Sequence, residues 1–150
     1  MISLSSTALN FGSLSKGDVA TKQVTIYNTA VTVVTITDIV SSSVDYEIAP
    51  LSFFIDANSA KNITIKYTAN SQITATGTIA ISNTAGPDEI ANVTANVLEP
   101  VVVINTSDLN FGRLSVNDSL TLTRSISNIA TNGSKLIVEV SSTDSNFAVK

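Results

Sequence analysis

The 150-residue sequence contains no cysteine, no histidine and no tryptophan. Without cysteine there are no disulfides, thiol nucleophiles or thiolate metal sites, and without histidine the commonest general base near neutral pH and the commonest transition-metal ligand are gone. No serine stands in a Gly-x-Ser-x-Gly elbow and the six glycines are dispersed, which leaves neither a hydrolase nucleophile turn nor a phosphate-cradling loop. Positive charge is also sparse. The eight basic residues, Lys16, Lys22, Lys61, Lys66, Arg113, Arg124, Lys135 and Lys150, cluster nowhere, so neither a nucleic acid nor an anionic membrane finds a binding face. No apolar run approaches the roughly 18 residues of a membrane-spanning helix, so no direct membrane insertion is expected. Met1-Ile2-Ser3-Leu4-Ser5-Ser6 lacks a charged start followed by a long apolar stretch, so no signal peptide is expected either.

What remains is β-forming. Hydrophobic residues make up 43% and charged residues 13%, with Thr, Ser, Ala, Asn, Val and Ile dominant and the strong helix formers Glu, Lys, Gln and Arg scarce. Apolar and polar residues alternate at Val24 and Ile26, at Tyr46 and Ile48, at Ile63, Ile65 and Tyr67, at Ile79 and Ile81, and at Val93, Ala95 and Val97. That period of two is the mark of half-buried strands. Val33 to Val40 is a more continuous apolar run, predicting a central strand with a bulge where Ile36 and Ile39 break the alternation. Ile2 to Leu9 reads as one opening strand and Leu51, Phe53 and Ile55 as a short one. Pro50 marks a strand end, and Lys16-Gly17-Asp18, Asn28-Thr29-Ala30, Asp56-Ala57-Asn58 and Gly86-Pro87-Asp88 read as turns. Seven or eight short strands at spacings of roughly ten residues, with no helical period, predict an all-β, immunoglobulin-like antiparallel β-sandwich.

The block Leu9-Asn10-Phe11-Gly12-Ser13-Leu14-Ser15 returns as Leu109-Asn110-Phe111-Gly112-Arg113-Leu114-Ser115. Phe and Leu three apart supply two apolar anchors, and the glycine between them lets the backbone bend, as in a strand that ends in a corner. The structural anchors are therefore Leu9, Phe11, Gly12 and Leu14, with Leu109, Phe111, Gly112 and Leu114. The two copies align without a gap from Leu109 to Asn128, and then with a one-residue shift to Asn146-Phe147, opposite Asp45-Tyr46. Lys150 falls where Ala49 stands, and Leu51 to Leu98 have no second counterpart. The expected organisation is one complete sandwich over residues 1–99 and the first half of a tandem copy over 100–150. Half a sandwich exposes an apolar face and open strand edges. It belongs either to a longer tandem array or to an assembly in which another chain donates the missing strands.

These landmarks in order resemble the ASH domains of abnormal-spindle and hydin proteins, relatives of major sperm protein that occur as tandem modules in bacterial and phage proteins. The resemblance rests on the LNFG-x-L block, Val24-Thr25-Ile26-Tyr27-Asn28-Thr29, the apolar run to Ile39, Tyr46-Glu47-Ile48-Ala49-Pro50, the stretch from Ile55 to Tyr67, and Gly77-Thr78-Ile79-Ala80-Ile81-Ser82-Asn83. It covers residues 2–98 and the first half of a second copy. Two positions depart from the family pattern: Ala30 stands where Asn-Thr-Gly is usual, and Ala57-Asn58 where a Pro-Gly turn is usual. The resemblance implies a non-catalytic scaffold or binding unit. The basic surface with which peptide-binding relatives of major sperm protein work is missing here.

Few groups remain to carry chemistry. Asp45 and Glu47 lie two apart on one strand face, Asp88 and Glu89 are adjacent in a turn, and both pairs read as solvated rather than as a glycosidase pair or a calcium site. Asp18 and Asp118 occupy equal positions in the two copies and read as turn formers. Asn-x-Ser/Thr sequons fall at Asn62, Asn92, Asn105, Asn117 and Asn132, and Asn132-Gly133 reads as a tight turn. Lys22 and Lys66 fall on outward positions, which disfavours an isopeptide crosslink. No enzyme activity, catalytic residue, cofactor or metal is expected. The expected partners are proteins, through self-assembly or within a larger structural complex. The Met1 start without a signal peptide favours a virion over a cell surface as the setting, and an intracellular scaffold that binds a partner protein or peptide in the cytoplasm is the alternative.

Overall fold

The computed structural model describes residues 1–70, 74–105 and 107–149; Lys150, aligned above with Ala49, lies outside them. The chain divides into two compact units, Met1–Glu99 and Pro100–Lys150.

The first unit is a sandwich of two sheets. Strands β1 (Ile2–Leu4), β3 (Val19–Asn28), β7 (Ser59–Thr68) and β5 (Tyr46–Ala49) form one sheet, in the order β1-β3-β7-β5. Strands β2 (Ala8–Ser15), β9 (Glu89–Leu98), β8 (Ala75–Asn83), β4 (Val34–Ser41) and β6 (Phe53–Ile55) form the other, in the order β2-β9-β8-β4-β6. There is no helix among the described residues. The immunoglobulin-like sandwich expected from the alternation is present. Val24, Ile26, Ile36, Ile55, Ile63, Ile65, Tyr67, Ile79, Ile81, Val93 and Ala95 are all fully buried between the sheets. β3 and β7 pair over ten positions, from Val19 opposite Thr68 to Asn28 opposite Ser59.

Three features differ from the strand-by-strand reading. Ile2 to Leu9 is not one strand: the chain leaves the first sheet after Leu4, where the Ser5 amide and hydroxyl both bond to Thr25, and enters the second sheet at Ala8. In the second sheet β2 runs parallel to β9, the one parallel pair among the ladders of the described residues. Leu51 lies outside β6 and is half exposed, because the sheet pairing begins only at Phe53 opposite Ile36. The bulge expected in the Val33–Val40 run is there, as a register shift between Ile36 and Asp38 that returns Ile39 to the core.

The second unit contains one described pair of strands, β10 (Val102–Ile104) and β11 (Ile126–Asn128), antiparallel.

Candidate interaction surface

The Leu9–Ser15 block makes up all of β2 after Ala8 and ends with the strand at Ser15, immediately before the Lys16-Gly17-Asp18 turn. The pairing of β2 with β9 shifts between Asn10 and Ser13, so one extra residue sits in β2 there. Without that bulge Leu14, three residues after Phe11, would point to solvent; with it Leu9, Phe11 and Leu14 all enter the core. Gly12 makes the kink at φ +82°, a left-handed conformation that costs other residues strain, and its amide donates to Asn10 Oδ1 at 2.8 Å. Downstream, the Ser15 amide donates to Asp18 Oδ2 at 3.1 Å and the Asp18 amide to the Ser15 carbonyl at 2.9 Å, a closed Asx-type turn.

Phe11 sits in an aromatic cluster, with ring centroids 5.6 Å from Tyr46 and 5.7 Å from Tyr67, which are themselves 4.9 Å apart. Both tyrosine hydroxyls are buried without a hydrogen-bond partner among the described residues. Burial first, then the neighbouring Tyr67 and Asp45, pushes the Tyr46 phenol up to about 12, and burial raises Tyr67 as well. Near neutral pH both stay protonated, so neither is available as a phenolate nucleophile or base.

The carboxylates are placed for structure. Asp45 accepts from Asn70 Nδ2 at 2.7 Å and from the Ser43 hydroxyl at 3.4 Å, while Glu47 pairs with Lys66 at 2.7 Å on the exposed face of β5 and β7. No three Asp or Glu residues converge on a possible ion among the described residues. The five sequon asparagines are exposed, and Gly133 takes φ +81° in the Asn132-Gly133 turn.

Asn28, read from sequence only as punctuation, is a buried hub. Its Nδ2 donates to the carbonyls of Thr32 at 2.8 Å, Ile55 at 3.1 Å and Asp56 at 3.0 Å, and its Oδ1 accepts from the Ala30 amide at 2.9 Å. It ties the end of β3 to the end of β6, in the opposite sheet. The signal for it was in the repeat: Asn128 recurs at the same position, followed again by alanine two residues on.

Apart from the core, the first unit presents open sheet edges, β1 and β5 on one sheet and β2 and β6 on the other. On β6, Phe54 projects to solvent with the Lys61 ammonium 4.9 Å from its ring centroid, a cation–π contact at a protruding aromatic. In the second unit the apolar residues Leu109, Leu114, Leu120, Ile126, Val138, Val140 and Phe147 are exposed. Arg124 bonds through Nη1 to the Ser107 hydroxyl at 2.7 Å and through Nη2 to the Ser107 carbonyl. Edges and apolar faces of this kind are where a sandwich engages other polypeptides.

No protein-family model matches the chain, and no curated protein does. Solved structures do match its fold. The ASH/PapD-like domain 7 of human CEP192 superposes with a TM-score of 0.58 at 9% identity, over 65% of this chain and 85% of that one. SSP-19, an MSP-domain-like protein of Caenorhabditis elegans, gives 0.51 at 16% identity, over 60% and 94%. The Escherichia coli chaperone DraB gives 0.52 at 11% identity, over 65% and 55%. The chain thus carries the immunoglobulin-like sandwich fold shared by ASH, PapD-like and MSP domains.

Proposed function

We propose that the chain is a non-catalytic structural protein whose Ig-like modules, strung in tandem, work by protein–protein contact as a spacer, rod or decoration on a virion or a microbial cell surface. The observation that carries this reading is the repeat in register: Val102, Val103 and Ile104 pair with Asn128, Ser127 and Ile126 as Ile2, Ser3 and Leu4 pair with Asn28, Tyr27 and Ile26, each position displaced by one hundred. A chain that spends its length on repeating one sandwich pattern, with Asp18 and Asp118 in turns, Glu47 paired with Lys66 and the buried Tyr46 and Tyr67 phenols protonated near neutral pH, is built for presentation and contact rather than for turnover. Its partners are other copies or the proteins of a larger structural complex.

Antibodies raised against the recombinant chain test the setting. Labelling of intact particles, or of intact cells without permeabilisation, is the expected result. Labelling only after the cells are opened would overturn it and favour the intracellular scaffold.

A further inference from the structure

An unpaired strand edge is a template on which another chain can add a strand, and the first unit meets this hazard in two ways. Among the described residues its open edges are β1, β5 and β6, of three, four and three residues, and β2, of eight. The short ones offer an added strand too few ladder positions to hold it. β2 is long enough, and it is β2 whose backbone donors are engaged by side chains. The Ala8 amide donates to Ser6 Oγ at 3.3 Å, the Gly12 amide to Asn10 Oδ1 at 2.8 Å and the Ser15 amide to Asp18 Oδ2 at 3.1 Å. The Ser6 hydroxyl in turn donates to the Ala8 carbonyl at 2.8 Å.

Each amide has one hydrogen to give, so those three stand outside the β2–β9 ladder and are closed to a further strand. They sit at the start, at the bulge and at the end of β2, leaving only residues 9–11 and 13–14 between them. The bulge at Gly12 adds a kink that a straight partner does not follow. The repeat separates these groups from their surroundings. Asn10, Gly12, Ser15 and Asp18 return as Asn110, Gly112, Ser115 and Asp118, with the same bonds at 2.8 and 3.2 Å. Ser13 and Lys16, exposed between them, are replaced by Arg113 and Val116. Donor and acceptor lie two or three residues apart, so the bonds need no neighbouring strand. In the second unit they are present although residues 109–115 form no strand among the described residues.

We infer that Ser6, Asn10 and Asp18 are guards of the β2 edge, which keep it from pairing, strand on strand, with the β2 of a second copy of the chain. Modules repeated in tandem meet their own kind at high effective concentration, and misassembly between like modules is a characteristic failure of repeat proteins. A guard built from local bonds acts as soon as the strand forms, before the sheet is complete. Contact between copies is thereby directed to other surfaces. The inference takes its reason from the tandem reading above and its geometry from the bonds alone, so the labelling experiment and the following one fail separately.

The test compares the full chain with its Asn10→Ala/Asp18→Ala double variant at low and high protein concentration, by sedimentation and by amide exchange. The wild-type chain is expected to exchange its β2 amides at the same rate at both concentrations. The double variant is expected to associate, with exchange across residues 8–15 slowed ~10-fold or more at the high concentration relative to the low one. A loss of stability alone, the outcome for side chains that only shape the bulge and the turn, speeds exchange at both concentrations equally. The Asn10→Asp/Asp18→Asn variant, which keeps an acceptor oxygen at each position, is expected to behave as the wild type. Where the double alanine variant loses its cooperative unfolding transition, Asn10→Ala alone is read in the same way. A folded alanine variant without concentration-dependent protection of β2 would overturn the proposal, as would such protection in the wild-type chain.

Discussion

The most consequential side chain is Asn28, whose amide closes four backbone groups around a fully buried position. Asn28→Ala deletes both ends of that network and leaves buried carbonyls and the Ala30 amide without partners, for an expected loss of about 3 kcal/mol in urea denaturation. An unchanged midpoint would mean that the hub is incidental. Tyr46 behaves in the opposite sense. Its hydroxyl has no partner to lose among the described residues, so Tyr46→Phe is expected to change stability at pH 7 by no more than about 1 kcal/mol. At alkaline pH the two proteins diverge. The folded chain holds the Tyr46 proton up to about 12, against the ordinary 10.0, so the unfolded chain releases it first and stability is lost as pH rises from 10 towards 12. Tyr46→Phe should flatten that decline, and equal slopes for the two proteins over that range would refute the assignment.

The bulge in β2 decides which side chains of one element reach the core. Gly12 holds it at φ +82° with open space where a Cβ would stand, so the cost of Gly12→Ala is backbone strain alone, expected at about 1 kcal/mol by chemical denaturation. Gly77 in β8 is the converse case. Its backbone is ordinary, but a Cβ would lie 2.9 Å from the Ser42 hydroxyl, which accepts the Thr78 amide. Gly77→Ala should therefore cost about 1–2 kcal/mol through loss of that hydrogen bond, and Ser42→Ala in the same background should recover part of the steric component, a coupling that a double-mutant cycle measures. The contrast between the elements also explains what the sequence could reveal. Alternation at Ile63, Ile65 and Tyr67 and the break between Ile36 and Ile39 are local patterns imposed by burial on one face, and they are readable one strand at a time. The switch of sheets at Ser5–Thr7 and the parallel pairing of β2 with β9 are not, because alternation says which side faces inward and nothing of which distant strand lies alongside, or in which direction. The Asn28 hub escaped for a similar reason: its partners Ile55 and Asp56 are 27 and 28 residues away, and an asparagine before Thr29-Ala30 looks the same whether it faces water or three carbonyls.

At the scale of the molecule the two units predict opposite behaviour when separated. Residues 1–99 contain every strand of both sheets and the whole buried cluster from Ile2 to Val97. About a hundred residues bury enough apolar surface for independent stability, so this segment expressed alone is expected to give one cooperative thermal transition. Among the described residues of the segment 100–150 there is one three-residue ladder, fewer strands than an isolated sheet needs in water, and Leu109, Leu114, Leu120, Leu122 and Phe147 stand in solvent. Expressed alone, that segment is expected to show no cooperative melt and to bind a hydrophobic dye. A sharp transition in the isolated segment would show that a β10–β11 ladder and a Phe111–Phe147 contact suffice, and that the repeat in register needs no second half to hold it.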